Sequence, residues 1–151
     1  MKTLTTAVLV LLLAASTAAV FAQKKDIAHK SIFTEFPGEI EISSATLKNT
    51  LVAKPGQTVS IPFNDRFVFR GKVVSNEMKY ADLQSMLVRS EQYANTLFQL
   101  SRISDPATGV KYVGRIISPD ALEVYEIRND MADNYRLQRV DLDRVLQDCR
   151  Y

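Results

Sequence analysis

The chain is most informative in what it has little of. Among 151 residues there is one histidine, His29, one cysteine, Cys149, and no tryptophan. A Ser-His-Asp or Cys-His nucleophile system would have to recruit that single histidine, which lies in the N-terminal arm rather than in the folded body. Zinc sites built on several histidines or cysteines have no ligands to draw on. One cysteine also excludes an intramolecular disulfide, so a domain of this size must rest on its core. Glycine is scarce as well: the five stand apart at Gly38, Gly56, Gly71, Gly109 and Gly114. No glycine-rich loop leads from a strand into a helix, so neither nucleotide-binding fingerprint is present. Neither a cofactor nor a metal is expected.

Charge is present but balanced, with 19 Lys and Arg against 17 Asp and Glu. Its distribution begins with a gap: nothing between Lys2 and Lys24 is charged. Lys2, the apolar run Ala7 to Val20, and small residues with Val20 at −3 and Ala22 at −1 read as an export signal over residues 1–22. The run is short and weak for a membrane span, so no span is expected after cleavage. Removing 22 from 151 residues leaves about 129, one ordinary domain. Removing Lys2 leaves 18 bases against 17 acids, which gives no global argument for nucleic acid. The chain has no Asn-x-Ser/Thr sequon, as suits a bacterial secretory protein in the periplasm or outside the cell.

Residues 23–37 read as a polar arm whose Ile32, Phe33 and Phe36 dock on the domain that follows, residues 38–151. In that domain Glu39 to Ile42 alternates acid and isoleucine as a short strand. Ser43 or Ser44 can cap a brief helix carrying Leu47 and Leu51, stopped by Lys54-Pro55-Gly56. Alternation then marks strands at Val59 to Phe63, Arg66 to Ser75, Leu83 to Ser90, Thr96 to Ile103, Val110 to Ile117, Leu122 to Arg128 and Tyr135 to Val140. Breaker-rich connections separate them, and nothing helical intervenes. Asp141 can cap a C-terminal helix whose Leu142, Val145, Leu146 and Cys149 form one apolar stripe, with Cys149 as filler. The expected fold is α+β with β dominant: an antiparallel meander of about six to eight short strands, packed with that helix and the short N-terminal one. Apolar residues on both faces of the strands from Leu83 to Ile117 allow a covered sheet, a sandwich or a barrel.

Carboxylate pairs remain as catalytic candidates, at Glu39/Glu41, Glu123/Glu126 and Asp141/Asp143. Each is equally an outward strand face or a helix start. Asn129, Asp130, Asp133 and Asn134 crowd oxygen ligands into one loop, but such residues also serve turns, and the spacing is not that of an EF-hand. The bases show a sharper pattern. The strands from Arg66 to Ser118 carry Arg66, Arg70, Lys72, Arg89, Arg102, Lys111 and Arg115, and the one acid counted with them, Asp82, heads the Leu83 strand. A sheet presenting these together would hold an acidic protein or a polyanion. The leading expectation is a non-enzymatic interaction module, inhibitor- or prodomain-like, acting through a sheet face or edge. Its rivals are a carrier for a small apolar ligand, in a barrel lined by Phe67, Phe69, Phe98 and Tyr112, and a carboxylate-pair hydrolase.

Overall fold

The computed structural model describes residues 33–119, 121, 123–131 and 134–141. The export signal over 1–22 and most of the arm, with His29 and Ile32, lie outside these residues, as do Leu142, Asp143, Val145, Leu146 and Cys149. The described chain runs β1 (Glu39–Ser43), α1 (Ser44–Thr50), β2 (Thr58–Pro62), β3 (Val68–Tyr80), β4 (Leu83–Ser90), β5 (Leu97–Asp105), β6 (Gly109–Ile117), β7 (Glu123–Met131) and β8 (Asn134–Asp141). The C-terminal helix is not borne out. Asp141, its expected cap, is the last residue of β8 and pairs with Glu123, because the β7–β8 ladder continues one residue past the expected strand end.

All eight strands form one antiparallel sheet in the order β1-β8-β7-β6-β5-β4-β3-β2, curled into a half-barrel. From β2 onward every strand pairs with its successor, so the meander follows directly from short breaker-rich connections. The exception is β1, which pairs with β8 through Glu39↔Gln138 and Ile42↔Tyr135. The two edge strands are therefore consecutive in sequence, and α1, which links them, packs against both.

Local chemistry places α1. Ser43 is its N-cap, with the hydroxyl accepting from the Thr46 amide at 3.1 Å, and Leu47 and Thr50 turn inward. Gly56, at φ +88°, turns the chain back toward β2, a conformation that favours glycine. Two other glycines let the sheet curl. A Cβ at Gly71 would stand 2.4 Å from the Arg89 carbonyl oxygen, and one at Gly114 would stand 2.4 Å from that of Gln99. Backbone approaches this close occur where a sheet bends sharply and the side chain must be absent.

The concave face is the core. Ile61, Phe69, Val88, Phe98, Leu100, Ile116, Tyr125 and Leu137 lie on it, with Leu47 and Leu51 added from α1 and its cap. Phe67, Phe69, Phe98 and Tyr112, the residues expected to line a carrier's barrel, are part of this packed interior. At the end of the half-barrel where β2 meets β3, rings close it: Phe36 stacks on Phe67 at 4.3 Å, and Phe33 meets Tyr125 edge-on at 5.3 Å. The arm thus docks through its phenylalanines. Leu83, Leu87, Leu97 and Ile103, on the convex face, are only half-buried, which resolves their two-sided apolar pattern into one core and one partly shielded surface.

Candidate functional site

The sheet register decides which of the seven bases meet. On β3 the pleat turns Phe69, Gly71 and Val73 inward and Arg70 and Lys72 outward. Lys72 lies directly opposite Arg89 of β4 on the convex face. Cross-strand neighbours sit about 5 Å apart at Cβ, and like charges so placed repel. Arg70, Lys72 and Arg89 are all exposed, and none has an ionic partner among the described residues. One acid borders them: the Glu91 carboxylate accepts at 3.2 Å from the hydroxyl of Thr58, the register partner of Lys72, without forming an ion pair among the described residues.

The other four bases stand apart from this cluster. Arg66 is not on a strand: it lies in the β2–β3 turn, where the Asn64 side chain accepts from its amide at 2.8 Å and from that of Phe67 at 2.7 Å. Arg115 shares the convex face but faces Glu126 across β6–β7. Lys111, further along β6, faces Ile103. Arg102 is on the opposite face altogether, in register between Gln84 and Tyr112. The continuous stripe expected across four strands is therefore a compact trio on β3–β4 with outliers.

On β7, β8 and β1 the convex face is arranged otherwise. Arg136 pairs with Glu39 at 2.7 Å and with Asp130, and Arg128 pairs with Glu126 at 2.8 Å. The hydrogen bond that Arg136 donates to Glu39, then the charge of Asp130, hold the guanidinium above its ordinary pKa. These contacts employ Glu39 and Glu126 from two candidate acid pairs, and Asp130, which with Asn129 stands on β7, and with Asn134 on β8, rather than in one oxygen-rich loop. Glu123 and Asp141 face each other across β7–β8, while Asp133 and Asp143 lie outside the described residues. No cluster of potential metal ligands occurs among the described residues. Asp105, in the β5–β6 turn, accepts from the amides of Ala107 and Thr108, which lowers its carboxyl pKa.

Arg102 belongs to a second constellation, at the end of the half-barrel where α1 sits. A cleft of about 430 Å³ there is lined by Ser44, Ala45, Lys48, Arg102, Val110 and Tyr112. Gln84, next to Arg102 in register, donates to the Leu51 carbonyl at 3.1 Å and to Asn76 Oδ1 at 2.9 Å. Asn76 in turn donates to the carbonyls of Leu51 and Ala53 at 2.7 and 2.9 Å, so this polar pair ties the end of α1 to β3 and β4. Beside it stand the exposed apolar residues Val52, Met78 and Val110. Lys48 was not singled out in sequence, because one lysine on a short helix reads as solvated. Met78 and Tyr80 fell beyond the expected end of their strand, which a bulge between Val73 and Ser75 prolongs to Tyr80.

Compared with known proteins, the chain matches no family model, no curated protein and no solved structure. Among the described residues, no helix is long and apolar enough to cross a membrane.

Proposed function

We propose that this chain is an exported, non-enzymatic interaction module that captures an acidic protein partner on the convex face of β3–β4. The reading is supported by one observation above the rest: Arg70, Lys72 and Arg89 are exposed, crowded by like charge, and without an ionic partner among the described residues. The fold gains little from such an arrangement, since opposed like charges destabilise a ladder. A complementary acidic patch reverses that balance and accelerates encounter. Export rests on the uncharged, small-residue-ended segment before Gln23.

The test is partner capture from the native envelope or medium, followed by a salt titration of the purified pair. The triple variant Arg70→Gln/Lys72→Gln/Arg89→Gln should lose about tenfold or more in association rate and most of the salt dependence. Circular dichroism should find it folded. Equal binding by wild type and variant at every salt concentration refutes the reading. N-terminal sequencing of the exported protein should begin at or near Gln23, and retention of residues 1–20 would refute the export signal.

A further inference from the structure

The cleft beneath α1 lies on the other face of the sheet from the basic trio and needs its own account. Two cations, Lys48 and Arg102, converge on it from different elements, and neither has an ionic partner among the described residues. Apart from Ser44 the remaining wall is largely apolar, with Val110 half-exposed, Tyr112 only 6% exposed, and Ala45. The register row Tyr112–Arg102–Gln84–Met78 puts this apolar wall on one side of Arg102, while the Gln84 amide separates the cation from Met78 on the other.

An inorganic anion would satisfy the two charges and leave the apolar wall uncovered. A neutral apolar ligand would bury the charges unpaired, which is costly. The combination asks for both kinds of group in one molecule. The cleft is of the size that takes a small organic ligand, about 300–1,000 Å³ in general. The interior behind it is filled by the core, so the ligand must lie along the mouth.

We propose that this cleft binds a small amphiphilic anion, a carboxylate head on a short alkyl tail. Lys48 and Arg102 hold the head, and Val110 and Tyr112 meet the tail. The planar guanidinium of Arg102 suits a two-point contact with the carboxylate, and the ammonium of Lys48 serves as a mobile second charge. The proposal does not rest on the basic trio, and either can fail without the other.

The experiment titrates octanoate into the full chain and follows backbone amide shifts by NMR, with acetate and inorganic phosphate as separate arms. Octanoate should saturate, with shifts centred on Ala45, Lys48, Val110 and Tyr112, and should bind about tenfold or more tightly than acetate, because the tail adds apolar burial. Lys48→Gln and Arg102→Gln should each weaken octanoate by about tenfold, the loss expected for a charge-assisted contact. If Arg102→Gln does not fold, Lys48→Glu on the exposed helix face carries the test alone. Phosphate binding as tightly as octanoate would overturn the proposal. So would shifts centred on Arg70, Lys72 and Arg89, or variants that bind like wild type.

Discussion

The two ends of the half-barrel are finished in opposite ways. At one end, Phe33, Phe36, Phe63, Phe67, Tyr93 and Tyr125 close ring on ring, and the Tyr125 hydroxyl donates to the Pro37 carbonyl at 2.6 Å. At the other, a short helix spans the gap, and the chain leaves Val52, Met78 and Val110 exposed beside two cations without ionic partners among the described residues. The sealed end is built from rings that pack together, with the Tyr125 hydroxyl satisfied by the Pro37 carbonyl. The open end carries groups that the fold alone does not require. The difference separates what holds this protein together from what it can offer a ligand.

The contrast is sharpest in Phe67→Ala, which should cost about 3–5 kcal/mol, the range for truncating a buried aromatic. Met78→Ala at the open end should stay within about 0.5 kcal/mol, as exposed substitutions do. Denaturation midpoints compare the two, and equal losses would dissolve the distinction between the ends. Gly114→Ala tests the curl that joins them: its Cβ would meet the Gln99 carbonyl oxygen at 2.4 Å, so overpacking should cost about 1–3 kcal/mol. An unchanged midpoint would mean that the strands can separate there without loss.

Tyr125→Phe should cost about 1 kcal/mol for the lost hydrogen bond to Pro37. It should also change the response to alkali. Burial, foremost, raises the Tyr125 pKa above its ordinary value of about 10. The neutral phenol is thus favoured by folding, so its contribution is full below about pH 10 and is lost as pH rises through the folded value. The alkaline fall in thermal midpoint should therefore be shallower in the phenylalanine variant. Smallest of all, Lys48→Gln should leave the midpoint within about 0.5 kcal/mol while acting on octanoate binding as above. A large loss of stability there would make Lys48 a structural residue and the open end a second seal.

Eight strands were legible because period-two alternation and breaker-rich connections are local signals, read within a few residues. The brief helix carrying Leu47 was legible for the same reason, with its cap narrowed to Ser43 or Ser44. The curl was less so: Gly71 and Gly114 marked close packing, but only the partner strands' carbonyls reveal what a side chain would strike. The pairing of β1 with β8 has no local signature, since Ile40 and Leu137 meet from opposite ends of the domain. Asp141 carried two signals, because an aspartate before an apolar-periodic stretch serves as a helix cap and a strand end alike, and the stretch after it lies outside the described residues. The basic trio was visible as composition, yet Arg102 parted from it through register alone. Strand parity across two hairpins puts it on the concave face, and no count of charges contains that parity.

The β1–β8 ladder also bears on how the molecule assembles. Every hairpin from β2 to β8 closes a short loop, whereas β1 must find a partner nearly a hundred residues away, Glu39 meeting Gln138. Loop-closure entropy makes such a contact slow to form and late to be rewarded. The meander β3–β6 should therefore gather first, as a curved sheet with one face bare, and β1 with α1 should swing in last across the gap. In pulse-labelling hydrogen exchange, the amides of β4 and β5 should gain protection before those of β1. At equilibrium the same closing flap should reopen below the cost of global unfolding, so β1 should be the first stretch of core strand to exchange.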